Sequence, residues 1–98
     1  MPYTIDEIKE KAILIAIRYG VDSLSFFGSY ARGEADENSD LDFLLMKGRI
    51  RGLLDYCGMI NDLEDTFHCH VDMVERDAIK DLDFLRDVVK DEVTLYER

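Results

Sequence analysis

The segment Asp40-Leu41-Asp42-Phe43-Leu44-Leu45-Met46 constrains this chain more than any other. Read as a strand, it places Asp40, Asp42, Leu44 and Met46 on one face and Leu41, Phe43 and Leu45 on the other. The two carboxylates then point the same way from the head of the strand, with Cα atoms ~7 Å apart. They repel by ~0.6 kcal/mol in water and by ~2.4 kcal/mol at an effective dielectric near ~20. Charge on an exposed edge strand would deter aggregation. The apolar remainder of the segment instead marks an interior strand, and there a divalent cation explains the acid pair better. Hard carboxylate oxygens suit Mg²⁺ or Mn²⁺.

Helical and strand-length patterns alternate around this segment. Thr4 and Glu7 form a capping-box pattern. Ile5, Ile8, Ala12, Ile15, Ala16 and Tyr19 follow at helical spacing, and Gly20 supplies a stop, which predicts a helix over 5–19. Leu24 to Phe27 reads as a short strand, Ser29 to Gly33 as a helical turn, and Glu34 to Ser39 as a loop. After a turn at Lys47 to Arg51, the stripe Ile50, Leu53, Leu54, Cys57, Ile60, Leu63 and Phe67 predicts a second long helix, weakened by Gly52 and Gly58. Cys69 to Val74 is a third strand, with His70, Asp72 and Val74 on one face and Cys69, Val71 and Met73 on the other. Leu82, Leu85 and Val89 predict a last helix over 79–92, core-facing along that stripe, and Val93 to Tyr96 a closing edge strand. Helices alternating with short strands imply an α/β layer architecture. Periodicity leaves open whether the sheet is parallel or mixed. With no repeat or linker in its 98 residues, the chain reads as one domain over 1–98.

Charge bounds the partners. Twelve Lys and Arg against twenty-two Asp and Glu leave a net charge of −10. There is no basic track to displace counterions, so direct nucleic-acid binding is not expected. The longest wholly apolar run, Ala12 to Ile17, is too short to span a membrane. No secretory leader is visible, so a cytoplasmic setting with Cys57 and Cys69 reduced is the expectation.

Two further features carry chemistry. In Phe26-Phe27-Gly28-Ser29-Tyr30-Ala31-Arg32-Gly33 a strand ends, a glycine permits a sharp turn and a serine opens a helical turn. Free N–H groups at such a start attract phosphate, the serine hydroxyl adds a donor, and Arg32 adds a charged fork one turn on. The pattern is not a P-loop. Asp72 stands on an otherwise apolar strand, where an isolated carboxylate is costly. It either pairs with a surface lysine or joins Asp40 and Asp42 as a third metal ligand.

Gly28-Ser29, ten intervening residues, Asp40-x-Asp42 and a later Asp in an apolar strand resemble the nucleotidyltransferase superfamily of DNA polymerase beta. The extended motif GSYARGEADENSDLDFLL is specific. The small size and the helix followed by Val93-Thr94-Leu95-Tyr96 resemble the minimal nucleotidyltransferases (MNT), commonly encoded beside a HEPN-domain partner as a toxin–antitoxin pair. The resemblance implies a nucleotidyltransferase fold, with a small mixed sheet of three to four strands flanked by helices. It implies that Gly28 and Ser29 hold the β- and γ-phosphates of a nucleoside triphosphate and that Asp40 and Asp42 bind two Mg²⁺ ions. Asp72 would hold one ion and draw a proton from the acceptor hydroxyl. The implied reaction is transfer of AMP from ATP to a tyrosine of a HEPN ribonuclease toxin. An antitoxin that neutralises its partner by binding alone, and transfer to a small cationic molecule, are the rival readings. The chain has no residues left over for an acceptor-binding domain, so its acceptor site would be borrowed from a partner.

Other residues carry blander readings. His68, Cys69 and His70 invite zinc, but four ligands at characteristic spacing are lacking. His70 near an acceptor is possible, with plain surface placement the simpler reading. Cys57 reads as a small helix-core residue, Lys47, Arg49 and Arg51 as a solvated turn, and Tyr30 as packing.

Overall fold

A computed structural model describes residues 3–36 and 38–98. The elements are α1 (Ile5–Tyr19), β1 (Ser23–Phe27), α2 (Ser29–Arg32), β2 (Leu41–Met46), α3 (Gly52–Phe67), β3 (Val71–Glu75), a 3₁₀ turn (Arg76–Ala78), α4 (Leu82–Asp91) and β4 (Val93–Glu97). One four-stranded sheet runs β3-β2-β1-β4. β1 is antiparallel to β2 and β4, and β2 is parallel to β3. The sheet is therefore mixed, and the parallel pair is the one joined by the long helical crossover α3, as a parallel connection requires.

Local chemistry explains the boundaries. The Thr4 side chain accepts from the Glu7 N–H, and the Glu7 carboxylate accepts from the Thr4 N–H, so the capping box forms at the start of α1. Leu41, Phe43 and Leu45 alternate inward and meet Ile8, Ala12, Ile15, Met59, Leu63 and Phe67 of the helices that cover that face. Each fully buried large side chain contributes about 1.5–3 kcal/mol. Tyr30 is buried in the same core. Asp40 and His70 fall just before β2 and β3 rather than inside them.

Among the described residues, α4 is the one long helix on the opposite face, beside the 3₁₀ turn that meets β2, and there the stripe Leu82, Leu85, Val89 does not mark the packed side. Val88 is buried, while Leu82 and Val89 are exposed. Periodicity identified an apolar face, but one thin helix on a half-covered sheet needs only Val88 and the edge of Phe84, whose ring meets Phe27 edge-on at 6.4 Å. The predicted helix over 79–92 starts later, at Leu82, because Asp81 caps the N–H groups of Asp83 and Phe84, and the 3₁₀ turn lies before the predicted range. Cys57 is exposed rather than in the core. At the start of α3, Leu53 and Leu54 are exposed as well.

Side-chain bonds at the C-terminal end of α4 tie it to the sheet. Ser25, buried at 2 % exposure, donates its hydroxyl to Glu92 Oε2 at 2.5 Å, and Arg76 donates to Glu92 Oε1 at 2.6 Å. Glu92→Ala strands the Ser25 hydroxyl and the Arg76 guanidinium together, and a loss of about 2 kcal/mol is expected in a denaturant titration. Arg86→Ala, which removes only an exposed ion pair with Asp83, should change the midpoint negligibly.

Candidate active site

Register brings the acids together. Asp42 on β2 lies opposite Phe27 on β1 and opposite Asp72 on β3. Neighbouring strands are ~4.8 Å apart, so two carboxylates stand side by side on the face away from α1 and α3. Asp40, one step before β2, is near enough to add like charge to Asp42, but its ligand atoms group with those of Asp72 and His70 and not with Asp42. Ligand atoms of Asp40, His70 and Asp72 all lie within 4.8 Å of one another. Asp42 sits inward of that cluster, against the turn after β1.

That turn has a backbone only glycine adopts readily. Gly28 has φ 79° and ψ −152°. A Cβ built on it would stand 2.3 Å from Asp42 Oδ2, so the missing side chain is the space the carboxylate occupies. Ser29 then opens α2, whose first N–H groups have no preceding helical carbonyl to meet. Gly28, Ser29 and Asp42 line a cavity of about 370 Å³ whose other wall is Phe84, Asp87, Val88 and Asp91 of α4, with Arg32 at its side. Two hollows of comparable volume lie elsewhere, one beside Lys47 and Tyr56 and one beside Ser25 and Arg98. Size does not single out the first; its phosphate-suited turn and its carboxylate do.

Electrostatics mark the same spot. Partial burial, with Asp72 and Asp40 adding like charge, pushes the Asp42 pKa up to about 6. Hydrogen bonding to Asp72 raises that of His70. Three carboxylates crowded on one face are a donor set of hard oxygens that fits a divalent cation, and the crowding is a standing cost without one.

Arg32 is not a free fork. Its Nη1 donates to Asp91 Oδ2 at 3.0 Å and its Nε donates to Glu34 Oε1 at 3.3 Å. A bound phosphate would compete with both. His68 and Cys69 are not in the metal-ligating group, so the zinc cluster stays discounted. Sequence reasoning missed the part played by α4, whose side chains form the far wall, and it missed Glu64, which reaches His70. The alternation of His70 with Asp72 was a signal for His70. Nothing local signals α4 or Glu64, because their partners are distant in the chain.

A strand–Gly-Ser–helix turn facing paired acids on a mixed sheet is the arrangement that the resemblance to nucleotidyltransferases implies. A family model described as the nucleotidyltransferase domain matches residues 4–96, and the chain belongs to that family. A Methanocaldococcus jannaschii relative, provisionally named protein adenylyltransferase MJ0435, is 41% identical over 78 residues, covering 80% of this chain and 84% of its own. Among solved structures, one provisionally described as a minimal nucleotidyltransferase superposes with a TM-score of 0.76 at 30% identity, covering 91% of this chain and 90% of its own. The Shewanella oneidensis complex of a tri-AMPylated HEPN toxin with its MNT antitoxin gives 0.71 at 16% identity, covering 95% of this chain and 72% of the matched one, a likeness of fold. Among the described residues, no helix is long and apolar enough to cross a membrane.

Proposed function

We propose that this chain transfers AMP from ATP to a tyrosine hydroxyl of a HEPN-domain toxin and thereby acts as its antitoxin. The observation that carries the reading is Asp42 abreast of Asp72 and packed against Gly28, with Asp40 beside them. Asp40, Asp42 and Asp72 would hold Mg²⁺, which when bound neutralises charge on the phosphates and on the attacking oxygen. Gly28 and Ser29 receive the β- and γ-phosphates through N–H and hydroxyl donors. The tyrosine oxygen attacks the α-phosphorus, the bond to the bridging oxygen breaks, and pyrophosphate leaves. Asp72, on the edge strand β3, takes the hydroxyl proton.

The name of the M. jannaschii relative supports adenylyl as the transferred group, and the Shewanella complex supports a HEPN acceptor. A net charge of −10 disfavours a nucleic-acid acceptor and favours a basic protein surface. Incubation with ATP labelled at the α-phosphate, Mg²⁺ and a HEPN-domain toxin should label that toxin. Chain carrying Asp40→Ala and Asp42→Ala should leave it unlabelled. Label on the partner undiminished by the double substitution, or no label at all, contradicts the proposal.

A further inference from the structure

His70 is given no task by the reaction just described, yet it is built into the same cluster. Its Nε2 lies 3.0 Å from Asp72 Oδ1, and its Nδ1 lies 3.3 Å from Glu64 Oε2. Glu64 is itself held, since its Oε2 accepts the Val71 N–H at 3.2 Å. The α3 C-terminus makes this possible. His68 takes φ 54° and turns the chain back, so that β3 begins alongside the last turn of α3.

A carboxylate on one imidazole nitrogen with a metal on the other is the usual way a histidine ligand is oriented. Here the second nitrogen points into Asp40 and Asp72, whose ligand atoms lie within 4.8 Å of it and of each other. Two adjacent ligands of one ion at ~2.1 Å stand about 3 Å apart at a right angle, so an ion could replace the proton that Nε2 shares with Asp72 Oδ1 at 3.0 Å with little movement of either group. The side chain is 58% exposed, so its contacts to Glu64 and Asp72, and not packing, set this pose.

We propose that His70 is a nitrogen ligand of the cation held by Asp40 and Asp72, oriented by Glu64, and that it tunes the site toward Mn²⁺ and the later first-row divalent ions over Mg²⁺. The inference rests on the reading of the aspartates as cation ligands. Imidazole favours transition ions, whereas Mg²⁺ prefers oxygen and keeps its waters. An all-oxygen site would discriminate less.

The full chain is titrated with Mn²⁺ alone, followed by electron paramagnetic resonance, and the bound ion is read by electron spin-echo modulation. Wild-type protein should show ¹⁴N coupling to Mn²⁺. His70→Gln should lose that coupling and bind Mn²⁺ at least about tenfold more weakly, with Mg²⁺ affinity changed less than about twofold. Glu64→Gln should keep the coupling and weaken Mn²⁺ about tenfold. Mn²⁺ bound without nitrogen coupling, in wild-type protein where no folding defect intervenes, overturns the role of His70 and leaves the aspartate reading intact. Absence of Mn²⁺ binding, or binding indifferent to Asp40→Asn and Asp72→Asn, overturns both.

Discussion

Asp42→Asn is expected to cut nucleotidyl transfer by about a thousandfold or more, since a metal-binding carboxylate underlies several kcal/mol of charge stabilisation. The same substitution should make the metal-free protein more stable. In the fold Asp42 titrates near 6, above the ordinary carboxylate value of 3.8, because of burial and the nearby Asp72 and Asp40. An acid whose folded pKa is raised holds its proton more tightly folded than unfolded. The folded state is therefore penalised as pH rises from about 4 to about 6, and the penalty is complete above that window. The full displacement would be worth about 3 kcal/mol, and water on the open side of the group reduces this to ~1 kcal/mol. Near neutral pH without metal, Asp42→Asn should then raise Tm by about 4–8 °C. At pH 4, where Asp42 is protonated in the wild type, the gain should vanish. Saturating Mg²⁺ should stabilise the wild type more than the variant. A variant that is less stable than wild type near neutral pH without metal would show that Asp42 is held by favourable contacts rather than crowded by like charge.

Gly28→Ala should also lower transfer strongly, for a different reason. Its φ 79° and ψ −152° cost a non-glycine residue ~1–3 kcal/mol. The new methyl would also meet Asp42 Oδ2 at 2.3 Å, so that carboxylate must swing away. Transfer should fall more than about a hundredfold, the scale reported for a misplaced reacting group of ~1 Å. Gly33→Ala is the matching control. Gly33 also has positive φ, at 74°, but a Cβ there meets nothing within 4 Å. It should lose ~1 kcal/mol of stability and keep its rate once folded. Equal loss of rate in the two variants, at matched folded fraction, would show that backbone strain rather than displacement of Asp42 is responsible.

Much of this was legible in the sequence because the informative patterns are local. Thr4 and Glu7 cap a helix by their spacing alone, and Asp40-x-Asp42 on an alternating strand fixes a shared face. α1 runs Ile5–Tyr19 and β2 starts one residue after Asp40, close to the pattern. What stayed hidden depends on partners far along the chain. Arg32 meets Asp91 across 59 residues, and Ser25 meets Glu92 across 67. No spacing rule encodes such pairs. The stripes on α3 and α4 misled for a related reason. Periodicity shows that Leu53, Leu54, Leu82 and Val89 share apolar faces, but whether this chain has anything to lay over them is a tertiary fact, and all four are exposed. The abreast placement of Asp42 and Asp72 likewise required the parallel β2–β3 pairing, which periodicity left open and the family resemblance implied only as a mixed sheet.

A crystal structure with a non-hydrolysable ATP analogue and Mg²⁺ puts the central claim to its plainest trial. The account predicts the triphosphate seated on Gly28 and Ser29, with oxygens of Asp40, Asp42 and Asp72 at ~2.1 Å from bound Mg²⁺. Nucleotide lodged instead in the hollow beside Lys47 and Tyr56, or the three carboxylates turned apart with no ion between them, would contradict it.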